Sequence, residues 1–262
     1  MMSRAPDFRR TWPECSHTRS SPASRAEKVL VVWNEPGGGE RSYCHHCAET
    51  RVLRGGSGKR HQRTQPLRTD NSAVADYLWR TSLSAENTHV EPYLHEARKI
   101  GARLQATTRY LSAHQGHAHA MICPFGLVEE IEPSILALPQ SVTAVHLTRL
   151  SPDGLKILGK RMIGPVSGQP IVLAPPNDGL GLVITEGIED ALSMHAATGL
   201  GAWAAGSAGH MATLAQAVPW YIEHVLILAD NDPPGLKGAF ALEAGLLARG
   251  FDVTVKTVPD FG

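Results

Sequence analysis

The chain of 262 residues contains no run of about 18 apolar residues, the length a membrane-spanning helix requires. Its first residues, MMSRAPDFRRTWPECSH, lack the apolar core of a signal peptide. Both absences point to a cytosolic protein with no membrane partner. Cysteine is scarce, with four residues, and in that compartment structural disulfides are not expected. Net charge is also missing, since 25 Lys and Arg face 25 Asp and Glu. That balance hides a segregation. Residues 1–68 hold 13 basic against 6 acidic side chains, and residues 69–262 hold 12 against 19. A basic head on an acidic body implies two modules, the first drawn to a polyanion and the second to cations. No internal repeat is visible.

What is present divides along the chain. RVLRGGSGKRHQRTQPLRTDNS (51–72) is rich in Gly, Ser and Arg without apolar periodicity, and reads as a flexible basic linker. Beyond it, AVADYLWRTSL and HVEPYLHEARKI have helical spacing, which predicts buried faces carrying Tyr77, Leu78 and Leu94. TAVHLTRLSPDGLKILGKRMIG alternates, turns at Pro152-Asp153-Gly154 and resumes, a β-hairpin pattern. From 181 onward strands near 182–185, 201–204, 225–229 and 252–257 alternate with helices at 188–198, 209–217 and 236–249. Such alternation implies βαβ units and a mainly parallel sheet.

Two strands of this unit end in carboxylates. LVITEGIEDALS places Glu186 at the first strand's carboxyl end, Gly187 at a tight turn and Asp190 in the first helical turn. VLILADNDPPG delivers Asp230 and Asp232 from the third strand. Taken singly, Asp190 answers a helix dipole and Asp232 caps a helix or shapes a turn. Open α/β sheets bind ligands at these strand ends, so the four can converge on one crevice. Unpaired carboxylates repel and have raised pKa values, which bound Mg2+ would relieve.

TEGIEDAL followed by LADNDPPGLKGA resembles the Toprim domain, the metal-binding fold shared by bacterial-type DNA primases, topoisomerases and some nucleases. The resemblance covers 181–258 and implies an α/β fold: a Toprim-type, mainly parallel sheet with flanking helices. It implies that Glu186 is the catalytic or metal-linked acid, that Asp230 and Asp232 hold Mg2+ (or Mn2+), and that Asp190 supports the site. Toprim domains usually continue into a further acidic motif, whereas this chain stops at TVPDFG, leaving Asp260 as the candidate stand-in. Ahead of the motif, GKRMIGP resembles the basic strand of bacterial and phage primases, which makes Lys160 and Arg161 candidates for contacting template or nucleotide. An edge strand that blocks aggregation would carry the same residues. His117, His119 and Cys123 could suggest a further metal site, but a buried Cys123 beside surface or satisfied histidines accounts for them more simply.

The head carries Cys15-x-His17 and Cys44-x-x-Cys47, joined by the β-like segments KVLVVWN and GGGERSY. These pairs suit Zn2+ in a ribbon too small to have a core. Bacterial-type primases carry a similar ribbon of three cysteines and one histidine, in the same order. The first pair has one intervening residue where two are usual, so His45, His46 and His61 are alternatives to His17. Trp12, Trp33 and Tyr43 could stack bases there or form its miniature core.

The implied order is a zinc-ribbon-like nucleic-acid-binding module (1–50), a linker (51–72), a small α+β subdomain of helices and hairpin (73–176) and the Toprim domain (177–262). No Walker A sequence is present, so the chain holds no helicase motor. The leading expectation is a DNA primase-like nucleotidyltransferase. Single-stranded DNA and ribonucleoside triphosphates would be its partners, and a replicative helicase is admitted as a third. A Toprim nuclease and a non-catalytic single-strand-binding protein remain the alternatives.

Overall fold

The computed structural model describes residues 70–257 apart from Gln115, together with the backbone of four strands nearer the N-terminus. The chain divides into two compact units, Met1–Leu67 and Arg68–Gly262. In the first unit, β1 (Phe8–Arg10), β2 (Leu30–Glu35), β3 (Gly39–Cys44) and β4 (Thr50–Leu53) form an antiparallel sheet in chain order. β2 and β3 are the two β-like segments expected, paired from Leu30↔Cys44 to Glu35↔Gly39. Cys15, His17 and Cys47, with Trp12 and most of the linker, lie outside the described residues, as do the side chains of Trp33, Tyr43 and Cys44.

The second unit contains two five-stranded sheets. The first is antiparallel and joins β11 (Ile157–Ile163), β10 (Ala144–Leu150), β7 (Ala120–Phe125), β6 (Arg109–Leu111) and β5 (Leu83–Ser84) in that order. β10 and β11 form the expected hairpin, with Thr148 opposite Lys160 and Leu147 opposite Arg161. β8 (Glu130–Glu132) and β9 (Ile135–Leu136) pair separately.

The second sheet runs β12 (Ile171–Ala174), β14 (Gly201–Ala204), β13 (Gly181–Thr185), β15 (His224–Ala229) and β16 (Asp252–Thr257). Only the β12–β14 pair is antiparallel, and β13 lies between β14 and β15, parallel to both. Apart from the edge strand β16, its strands read as apolar runs because both faces are covered. Val183 points into one core with Ile188, Ala191 and Leu192 of α2 (Ile188–Thr198). Leu182, Ile184, Val225 and Ile227 point into the other, against Leu242 and Leu246 of α4 (Pro233–Leu247) and Met211 of α3 (Ala208–Met211). Each such burial contributes about 1.5–3 kcal/mol. The antiparallel sheet joins the first of these cores through Met121, Cys123 and Phe125.

Four expectations change. α1 (Ser72–Thr81) buries Ala75 and Trp79, one helical repeat apart, on Ile122 and Val145 of the antiparallel sheet. Tyr77 lies on the other side of that helix and is 62% exposed, Leu78 is half-buried, and Leu94 is buried as expected. The segment read as a helix over 89–100 is a single π-helical turn, Pro92–Ala97, burying Tyr93 and Leu94. The helix expected at 209–217 is α3 followed by a 3-10 turn, Ala212–Gln216. α4 starts before Leu236 because Asp232 caps it and Pro233 fits a first turn that lacks N–H partners in any case. Among the described residues no helix is long and apolar enough to cross a membrane.

Candidate functional site

β13 and β15 pair in register from Gly181↔His224 to Thr185↔Leu228, so Glu186 and Asp230 leave adjacent parallel strands at one edge. Glu186 is half-buried, and its carboxylate accepts from the backbone N–H of Ala208 at the start of α3. Burial raises its pKa above the ordinary value, and the charges of Asp230 and Asp232 add to the rise. Asp230 is raised by burial and then by Asp232. Asp190 is raised by burial, then by Asp230 and Glu189. The acids singled out in the sequence therefore interact across one edge, where the charges of Asp230 and Asp232 make ionisation of their neighbours harder.

Their roles differ. Asp232 accepts from the Gly235 N–H at 2.7 Å and closes the N-terminus of α4. Gly235 is required by close approach, since a Cβ there would stand 2.8 Å from the Asp230 carbonyl oxygen. At Gly187 the backbone is extended rather than left-handed, and the reason for glycine is the Asp190 carboxylate, 2.7 Å from where a Cβ would sit. Among the described residues no three His, Cys, Asp or Glu close into a ligand group for a metal ion. Mg2+ characteristically uses one or two carboxylates with waters and substrate phosphates, so an open, oxygen-only edge fits it without a cage. Asp260 lies outside the described residues.

Of the two basic candidates, the structure brings one to the edge. Lys160 and Arg161 are neighbours on β11 and therefore point to opposite faces. Lys160 Nζ pairs with Glu189 Oε2 at 2.9 Å, and its charge offsets part of the rise at Glu186, Asp190 and Asp230. Arg161 is exposed on the face that carries α1.

Sequence reading missed the groups beneath Lys160. Glu189, beside Asp190, is buried at 9% exposure. Burial works against its charge, but Lys160 and the Tyr93 hydroxyl outweigh it and hold its pKa below the ordinary value. The Tyr93 hydroxyl donates to Glu189 Oε1 at 2.5 Å, and burial drives its own pKa well above the usual phenol value. His146 on β10 is buried with no hydrogen-bond partner at Nδ1, and burial, assisted by Lys160, lowers its pKa to about 4. Only an acid two residues inside a helix, in GIED, hinted at any of this.

The histidines near 117 are not gathered around Cys123. His119 stacks on His89 with ring centroids 3.9 Å apart, while Cys123 is buried and its thiol pushed up to about 12. Two cavities of about 270 and 620 Å3 are lined by neither these groups nor the carboxylates.

Residues 181–259 match the family model of the Toprim domain. No curated protein matches the chain. Among solved structures, a DNA primase domain from Pseudomonas aeruginosa aligns over 68% of this chain at 16% identity, with a TM-score of 0.34. That alignment spans 66% of the other chain, just under two thirds of its length. The limits of the matched segment enclose β13, α2, β15, α4 and all four carboxylates. By that match residues 181–259 form a Toprim domain.

Proposed function

We propose that the chain is a DNA primase-like nucleotidyltransferase that joins ribonucleotides into short RNA primers on single-stranded DNA. The observation carrying this reading is the edge of adjacent parallel strands within the Toprim segment, where Glu186 and Asp230 emerge side by side and the Asp230 charge helps raise the Glu186 pKa. The donor set is hard oxygen alone, which suits Mg2+ or Mn2+ and disfavours metals that seek thiolate or imidazole. Glu186 and Asp230 would hold the cation, and Asp190 would support them. Asp232 keeps the end of α4, and so the Asp230 backbone, in place. Bound there, the metal would supply charge neutralisation for phosphoryl transfer. Lys160, with its side chain 42% exposed beside the acids, is the group that would meet a nucleotide phosphate.

In the head, three thiolates and an imidazole at Cys15, His17, Cys44 and Cys47 are a donor set suited to Zn2+, and the unit would engage the template. Elemental analysis should give one zinc per chain, lost on substituting Cys44 and Cys47.

The test is a priming assay with Mg2+, labelled ribonucleoside triphosphates and mixed-sequence single-stranded DNA. Short labelled oligoribonucleotides should form with the wild type and fall by roughly 10²–10³-fold in Asp230→Ala/Asp232→Ala. Template cutting without synthesis would replace this reading with a nuclease. Template binding with neither reaction would leave a binding module.

A further inference from the structure

Glu189 is the one acid of the TEGIEDAL segment to which the reading above gives no part. Both its oxygens are engaged, Oε2 by Lys160 at 2.9 Å and Oε1 by the Tyr93 hydroxyl at 2.5 Å. The same Tyr93 oxygen accepts from Arg98 Nε at 3.3 Å, and the Arg98 guanidinium lies 5.5 Å from the Tyr93 ring centre. Three separate pieces of chain thus meet at one carboxylate: β11 through Lys160, the π-helical turn through Tyr93, and α2 through Glu189.

The pair is asymmetric. The Glu189 side chain is 11% exposed and that of Lys160 is 42% exposed, so the anion forms the base and the ammonium the mouth. A buried carboxylate held between two donors has little freedom, whereas a lone lysine on a four-carbon stem samples many rotamers. An ammonium has three N–H donors, and this pair uses one of them. The charge of Lys160 already acts on Glu186, Asp190 and Asp230, which places its head beside the edge where a nucleotide's phosphates would lie.

We propose that Glu189 is a positioning residue which, with Tyr93, holds the Lys160 ammonium at the carboxylate edge to bind the phosphates of a nucleoside triphosphate. The inference rests on the reading of that edge given above. Glu189 itself contacts neither metal nor nucleotide and acts through Lys160. Its place on α2 ties the antiparallel sheet to the Toprim sheet at the point where a cation is required.

The experiment is calorimetric titration of Mg·ATP into the full chain, as wild type, Lys160→Met, Glu189→Gln and the double variant. KM, kcat and Tm are measured on the same samples. Each single variant should weaken ATP binding and raise KM by roughly tenfold, with kcat at saturation nearly unchanged. The double variant should bind no more weakly than Lys160→Met alone, because Glu189 has no effect once the ammonium is gone. Tyr93→Phe, which keeps the ring and removes one hydrogen bond, should shift binding the same way by a smaller factor. It carries the test if Glu189→Gln fails to fold. Wild-type binding in Glu189→Gln and Tyr93→Phe overturns the proposal while leaving the reading of the edge intact, as do single effects that multiply in the double variant. If the wild type binds no Mg·ATP, or if Asp230→Ala/Asp232→Ala changes nothing, the reading of the edge falls and the positioning role falls with it.

Discussion

The two sheets of the second unit handle polar groups in opposite ways. In the parallel sheet β13 is buried along its whole length, and its carboxylates appear only after the last strand residue. In the antiparallel sheet β10 carries His146 and Thr148 fully inside, and neither His146 Nδ1 nor Thr148 Oγ1 has a hydrogen-bond partner. The parallel sheet is an apolar platform with its chemistry at one edge. The antiparallel sheet brings polar side chains in from the flank, and Lys160 reaches that edge. A strand covered on both faces cannot hold a charge without losing its hydration, so the acids are displaced to the end, where water and a cation are accessible. The antiparallel sheet bears an ammonium because Glu189 accompanies it and because β11, at the sheet's border, is half open to solvent.

Substitutions can separate platform from edge. The largest loss of stability should come from Ile184→Ala in the platform, about 2–5 kcal/mol in urea unfolding, because a large side chain between β13, α3 and α4 would leave a cavity. A loss below 1 kcal/mol would mean that the layers collapse around the gap.

His146 should produce the next effect, and it depends on pH. Its folded pKa of about 4 lies below the unfolded value of 6.5, so its contribution is present above pH 6.5 and lost as pH falls toward 4. The loss is on the order of 3 kcal/mol. His146→Leu should flatten the stability profile across that window, and equal slopes in both proteins would refute the linkage.

Asp232→Ala should cost about 1 kcal/mol through loss of the α4 cap, and Asp232→Asn, which also caps, should recover most of it. Equal losses in both variants would show that charge rather than capping governs the position. The smallest effect has the opposite sign. The pKa of Asp230 is raised by burial and by Asp232, so in metal-free protein its ionisation costs stability as pH rises above the ordinary carboxylate range near 4. Asp230→Asn should therefore raise Tm slightly at neutral pH, and Mg2+ should raise the Tm of the wild type more than that of the variant. A lower Tm for Asp230→Asn without metal would show that the acid is stabilising there.

The strand and helix succession after residue 181 was legible because it depends on local pattern. β14 spans 201–204, β16 spans 252–257 and α2 spans 188–198, each where periodicity placed it. α4 began earlier than the pattern suggested, since Pro233-Pro234 reads as a turn until Asp232 is seen to cap a helix. Tyr77 misled for a related reason: an apolar neighbour of Leu78 suggests a buried face, but the residues one repeat apart, Ala75 and Trp79, are the ones that meet the sheet.

The sequence alone determined which edge of which sheet would carry the acids. An apolar run followed by Glu-Gly or Asp-x-Asp ends a strand, and the order of strands then sets the side on which it ends. Only the tertiary structure decided that Glu189 serves Lys160, 29 residues away, and Tyr93, 96 residues away, while Asp190 beside it faces the other carboxylates. Those partners lie on a different sheet and a different turn. Adjacent helical residues diverge by about 100° around the axis, so which of two acids is buried depends on what the fold brings against that helix.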